Sequence, residues 1–517
     1  MDEALEIVQN WCRTRGLMVN PTKTSAMIFT RKYKPEPIET LRLWGKEINY
    51  VNSVKYLGVL LDPKLSWKPH LEEKRKKFYT SMWACRRAMG KNWGLNLRTA
   101  LWLYKMVLLP RLTYAAVVWW LRAEKVEARN LLKSLQGGYL RAAAGAMNTA
   151  PTEALQIALS IPPLNQVIKY TARQTAYRLR CQGEWKETRT GHTRLGLSDR
   201  HPFNLKQDRI PRRHQLVKNF KVQIPTREDW SKHDYKANPD VDTWFTDGSG
   251  ANGRYGAGIY GPNINHKVSI PMGELATVFQ AEVLAIQKCA ELLLKGKSRK
   301  QINIYTDSRA AIEALARTST ESSVVWDCMQ ALTTLGATNK VTLVWVPGHQ
   351  GIPGNEGTDE LAKQGTEKAP AERIVGVPFS AGTKIIKEWL EREHSNSWKG
   401  AEGCKRAKQL MRSPNLARTR ELLAMGKTKL RSGIGLLTGH LPLRAHLFNL
   451  RLAEQKEYRL CGEESEDNLH LLCRCPALAC KRYKSWGHMF MTPKDFENAK
   501  VSSLISLVND TRLGLTE

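Results

Sequence analysis

Four carboxylates are the residues of this chain best placed to do chemistry: Asp247 in T-D-G-S-G, Glu282 in Q-A-E-V-L, Asp307 in Y-T-D-S-R and Asp359 in G-N-E-G-T-D-E-L-A-K. Acidic side chains are normally scattered and solvated. Three of these fall at predicted strand ends or helix starts, where one sheet can gather them. Gathered carboxylates repel one another, so a cation must join them. The set reads as a candidate two-metal site of the kind that cuts phosphodiesters.

The elements that must position these acids are legible in the patterning. From Thr243 the chain turns to short strands: T-W-F-T-D, the Gly-rich R-Y-G-A-G-I-Y-G, a third near residues 266–270, I-N-I-Y-T-D, and later V-T-L-V-W-V. Between them, Phe279, Val283, Ile286, Ala290 and Leu293 repeat at spacings of four and three, giving a helix one apolar face. The pattern predicts an α/β domain, a mixed five-stranded sheet with packed helices. Asp247 is expected to follow the first strand at a Gly-Ser-Gly turn, which lets backbone and a phosphate approach closely. Asp307 ends the strand over residues 302–306, and Ser308 opens the next helix. If these two strands are parallel neighbours, their aspartates meet at one sheet edge. Glu282 borders the buried face of its helix and can point inward. Asp359 is expected to open a helix after a Gly-rich loop.

The chain has 517 residues and a net charge of +31, enough length for roughly three or four domains. Lys and Arg outnumber Asp and Glu by 18 in residues 1–183, by 5 in 184–240 and by 9 in 371–517, whereas 241–370 stand at −1. That layout suits a polyanion held by basic flanks with acidic chemistry between them. The ten cysteines are sparse up to residue 404 and then cluster, unlike a secreted disulfide framework, so a reducing compartment is expected. No signal peptide is readable in M-D-E-A-L-E-I-V. The apolar stretch over residues 107–121 is interrupted by Pro110 and Arg111, so no membrane partner is expected. Residues 68–180 read as helical, with a stripe of aromatics (Trp83, Trp93, Trp102, Tyr104, Trp119, Trp120) expected in the core. Residues 184–240 read as a basic linker. Neither a phosphate-binding loop nor a serine-hydrolase elbow is present in the sequence, which sets aside ATPase and serine hydrolase chemistry.

Jointly, the four acidic words resemble the type 1 ribonuclease H family in order, spacing and local sequence, over about residues 241–367. The most specific is W-V-P-G-H-Q-G-I-P-G-N-E-G-T-D-E-L-A-K, which carries His349, Asn355 and Asp359 together. The resemblance implies metal-dependent endonucleolytic hydrolysis of the RNA strand of RNA–DNA hybrids, with two magnesium ions and manganese as the substitute. It implies that Asp247 bridges both ions, Asp359 holds the nucleophile-side ion, and Glu282 with Asp307 holds the leaving-group side. His349 would assist proton transfer or product release. Ser249, Ser308 and Asn355 would support the acids or touch the hybrid backbone.

Outside this domain, W-C-R-T-R-G-L-M-V-N-P-T-K-T at residues 11–24 and Y-L-G-V-L-L-D at 56–62 resemble the last palm motifs and thumb entry of reverse transcriptases from non-LTR retrotransposons of the jockey or I-like arthropod kind. The chain carries no Asp-Asp pair, so polymerase activity is not expected of it, and the resemblance reads as a 5′-truncated polyprotein. Its relatives usually end in a zinc knuckle of Cys-x-x-Cys, His and Cys. Here Cys461, His470 and either Cys473 or Cys475 match, while Tyr458 stands in place of the first Cys. The expected organisation is a palm-end and thumb remnant (1–183), linker (184–240), ribonuclease H domain (241–370), basic helical region (371–455) and degenerate knuckle (456–480). The alternative is a catalytically idle, nucleic-acid-binding remnant. An intracellular site, nuclear or cytoplasmic, fits either.

Overall fold

The computed structural model describes residues 1–32, 39–90, 93–188, 190–197, 201–232, 241–296, 299–370, 372, 374–497 and 499–509. They fall into two compact units, Arg173–Glu388 and the pair of segments Met1–Ala172 and Trp389–Glu517.

In Arg173–Glu388 the strands are β1 (Arg209–His214), β2 (Phe220–Gln223), β3 (Asp242–Ala251), β4 (Arg254–Gly261), β5 (His266–Gly273), β6 (Gln301–Thr306), β7 (Ser319–Ser322) and β8 (Lys340–Trp345). The helices that matter to the site are α1 (Val278–Leu293), α2 (Arg309–Ala316), α3 (Ser323–Gly336) and α4 (Pro353–Glu367). Six strands form one mixed sheet in the order β5-β4-β3-β6-β8-β2, and β1 pairs with β7 apart from it. Strands β3, β4 and β5 are antiparallel hairpin neighbours, while β3, β6, β8 and β2 run parallel.

Both faces of the sheet are covered, and the period of two along each strand decides which residue goes where. Trp244, Ile302, Ile304, Val341 and Leu343 join the larger core with α1 and α3, whereas their neighbours Phe245, Tyr305 and Val344 form a smaller core on the other side. Strand β4 separates in the same way. Its Ala257 and Ile259 enter the larger core, while a Cβ on Gly256 or Gly258 would meet the α4 backbone at 2.4 Å. The Gly-rich strand is therefore a docking track that lets α4 lie against the sheet.

Three expectations about this unit need correction. The sheet has six strands because β2 comes from the segment read as linker. Phe220 is buried there, and flanking Lys218 donates to the Leu315 and Arg317 carbonyls at 2.6 Å each, so even a four-residue strand is firmly tied. Strand β3 does not end before Asp247 but continues to Ala251, paired with β4. The turn falls later, at Asn252 and Gly253 with φ of 51° and 77°, a pair well suited to a two-residue hairpin. Finally, α4 starts at Pro353, where a fixed φ favours the first helical turn, so Asp359 sits in its second turn rather than at its start.

The other unit is mainly helical. Lys68–Arg86, Val126–Ala144 and Thr152–Ala158 pack with Lys427–Thr438 and Val501–Asn509. Lys427 Nζ donates to the Ala143 carbonyl at 3.2 Å, and Thr419 Oγ1 to that of Ala158 at 3.2 Å. The basic helices after residue 400 thus fold onto the early ones. The aromatic stripe divides: Tyr104, Trp119 and Trp120 are buried, but Trp83, Trp93 and Trp102 are more than half exposed. Among the described residues, no single helix is long and apolar enough to cross a membrane. One pair bent by 93°, Leu97–Thr113 with Ala116–Ala123, passes by length and composition only.

Candidate active site

The register of the parallel strands brings the two aspartates together. Thr306 of β6 is opposite Thr246 of β3, and the pairing ends there. Asp247 and Asp307 are the next residues on each strand, at the carboxyl end of the parallel pair, where strands begin to part and leave a crevice.

Glu282 arrives from α1. Thr277 caps this helix by accepting from the Gln280 N–H at 3.2 Å. The helix then crosses β3 so closely that a Cβ on Gly248 would lie 2.5 Å from the Glu282 nitrogen. The absent side chain at 248 lets Glu282 reach its neighbour in sequence, Asp247. Asp247, Glu282 and Asp307 can each place an oxygen within 4.8 Å of the others. Asp247 and Glu282 are each 6% exposed.

Asp307 is fixed from several sides. The Trp345 indole donates to its carbonyl at 3.0 Å, and the buried Asn355 amide hydrogen-bonds its carboxylate from the first turn of α4. A Cβ on Gly348 would lie 2.7 Å from Asp307 Oδ2, so a side chain there would push the carboxylate out of its place. The next residue, His349, is exposed with a φ of 56°, and its charge draws the Asp307 carboxyl down. Asp359 stands outside the group of three. Its Oδ2 accepts from Lys363 Nζ at 2.6 Å, one helical turn on. Ser249 is half-buried on β3, and Ser308 caps α2 by accepting from the Ala311 N–H at 3.4 Å.

Electrostatics show what such an arrangement requires. Burial first, then the charge of Asp307, pushes the Asp247 carboxyl far up; burial, then Asp247 and Asp307, raises Glu282 further still. Asp307 is raised too, chiefly by burial. Such acids must share protons or a cation. Glu282 Oε2 is buried with no hydrogen-bond partner among the described residues, an open acceptor within the group. All the donors are oxygens, the ligands that magnesium prefers. The residues therefore fit a divalent cation.

Lys363, Gly348 and Trp345 were not singled out from sequence, and Gly248 was read only as part of a turn. Only Lys363 had a visible signal, the four-residue spacing in D-E-L-A-K.

The soft donors near the C-terminus gather selectively. Cys461, His470 and Cys475 form a group within 4.8 Å, and Cys473 is not part of it. The Cys475 N–H donates to the His470 carbonyl at 2.9 Å and closes the π-helical turn His470–Arg474. Of the two alternatives left by spacing, Cys475 is the one grouped with Cys461 and His470.

Comparison with known proteins agrees with this geometry. Residues 239–367 match the RNase H family model. The chain is 28% identical over 170 residues to the putative 115 kDa protein in the type-1 retrotransposable element R1DM of Drosophila melanogaster, covering 33% of this chain and 16% of that one. It is 28% identical over 167 residues to the retrovirus-related Pol polyprotein from type-1 retrotransposable element R1 of Nasonia vitripennis, covering 31% and 49%. It is 26% identical over 179 residues to the RNA-directed DNA polymerase from mobile element jockey of Drosophila funebris, covering 35% and 19%. The matched part of the chain thus spans under half of each of these relatives. Residues 239–367 form an RNase H domain, in a chain related to the polyproteins of R1- and jockey-type non-LTR retrotransposons.

Proposed function

We propose that this chain is a metal-dependent endonuclease that hydrolyses the RNA strand of RNA–DNA hybrids. The observation that carries the reading is the convergence of Asp247, Glu282 and Asp307 around a buried, unpartnered Glu282 oxygen. Asp247, Glu282, Asp307 and Asp359 would hold the cations, two magnesium ions by resemblance. Bound there, such ions lower the pKa of an attacking water and steady the leaving 3′ oxygen.

The chain's own groups do the positioning. Asn355 and Trp345 hold Asp307 in place from two elements. Lys363 holds Asp359 turned along α4 through its 2.6 Å ion pair. Asp359 would have to leave that exposed partner to join the other acids, and exposed ion pairs are weak, about 0–1 kcal/mol. His349, on its exposed loop beside Asp307, can accept or return a proton without leaving solvent. Ser249 lies one strand position beyond Gly248, where a hybrid phosphate approaching the crevice would pass. Ser308 serves α2 as its cap. The basic residues outside 241–370 supply the attraction for a polyanion.

A substrate panel tests the reading. Full-length protein with magnesium is given end-labelled RNA–DNA hybrid, duplex RNA and duplex DNA of one sequence. Internal cuts in the RNA strand of the hybrid, stopped by chelator, are expected. Equal cutting of duplex DNA, or no cutting of the hybrid, would overturn the proposal.

A further inference from the structure

A second group of side chains that could hold a metal ion stands in the helical unit, and the nuclease reading does not use it. Cys461 Sγ lies 3.2 Å from His470 Nε2, and Cys475 completes a group of three. His470 is 1% exposed and held from behind: Nδ1 is 3.1 Å from Glu464 Oε2, which Arg474 also engages at 2.9 Å. A carboxylate on one ring nitrogen sets the imidazole so that the other can face a metal, the usual outer partner of a ligating histidine.

Three donors are one short of the four that structural zinc takes. At the position where a knuckle would carry its first cysteine stands Tyr458. This residue is 1% exposed, and its ring meets that of His470 edge-on at 5.5 Å. Among the described residues its hydroxyl has no hydrogen-bond partner, and the Cys475 and Cys461 thiols are among its electrostatic neighbours. A buried phenol without a partner is costly unless something completes it. Cys473 is equally buried but outside the group.

We infer that Cys461, His470, Cys475 and the Tyr458 oxygen form one closed site for zinc, with Tyr458 as the fourth ligand. On filling, the two thiols lose their protons to solvent and Tyr458 donates an oxygen lone pair. The filled site is then neutral, as its burial demands. Tyrosine in place of cysteine keeps the coordination number and removes one thiolate charge.

Cobalt titration of the reduced, metal-free, full-length protein tests this. A thiolate-to-cobalt charge-transfer band is expected, displaced by one equivalent of zinc; the carboxylate site has no sulfur and gives no such band. Cys473→Ser should keep the band, and Cys475→Ser should lose it. Tyr458→Phe should keep it with affinity lowered at least about tenfold, the loss that even an outer partner causes. Tyr458→Cys should bind more tightly and intensify it. No band in the wild type, loss of the band in a Cys473→Ser variant with wild-type circular dichroism, or unchanged affinity in Tyr458→Phe would each overturn the inference.

Discussion

Replacing Gly248 by alanine probes how α1 delivers Glu282. The added carbon would lie 2.5 Å from the Glu282 nitrogen and 2.9 Å from two atoms of Ala281, where ordinary contact begins at 3.4 Å, so the helix must retreat by about 0.9 Å. Most of the obstructing atoms are backbone and cannot swing aside. Overpacking of this kind costs about 1–3 kcal/mol. Moving an active-site group by about 1 Å can cost on the order of 100-fold in rate. Gly248→Ala should therefore lower the urea midpoint and cut hybrid hydrolysis about 100-fold, with magnesium affinity reduced as well. Gly400→Ala is the control, since its added carbon meets nothing within 4 Å, and it should stay within about 0.5 kcal/mol of wild type. A Gly248→Ala protein with wild-type stability and rate would refute the close-approach argument.

Other outcomes follow from the same geometry. Asp247 has its carboxyl raised from 3.8 to about 7, so the folded state holds a proton that the unfolded state releases. The metal-free protein should thus lose stability as pH rises from about 4 to about 7, by about 1.4 kcal/mol per pH unit for one such group. Urea melts with chelator should show this slope, magnesium should flatten it, and Glu282→Gln should raise the metal-free midpoint at pH 7; a flat metal-free profile would contradict the account. Asn355→Ala removes the side chain that holds Asp307, and calorimetry should find magnesium binding weakened about 10- to 100-fold. Unchanged affinity would show that Asp307 needs no such support. Hybrid binding should weaken steeply with added salt if the basic residues outside 241–370 hold phosphates, and a flat response would remove them from the nucleic-acid surface.

Much of the site was legible because it depends on local rules. Asp247 and Asp307 each follow an apolar strand word, and parallel pairing of those words suffices to place them side by side. Glu282 could be placed from the four-and-three spacing of its helix. What escaped notice depends on packing between distant segments. F-K-V-Q is too short to stand out as a strand until Val341 and Leu343 pair with it. Gly248 read as a turn residue, yet it is small because α1 passes at contact distance. The choice of Cys475 over Cys473 depends on how the π-helical turn His470–Arg474 is wound, which spacing does not show. Tyr458 looked like a lost ligand, and its buried hydroxyl gives it a different meaning. The exposed Trp83, Trp93 and Trp102 show the limit of helical spacing, which marks a stripe but not whether anything covers it.

The central claim is that the clustered acids make a working nuclease centre. Its most direct test is cleavage of a labelled RNA–DNA hybrid by the full-length protein and by Asp307→Asn, side by side, with magnesium and with chelator. The account predicts cuts confined to the RNA strand, dependent on magnesium and lost in Asp307→Asn. Equal, chelator-insensitive cleavage by both proteins, or cleavage by neither, would contradict it.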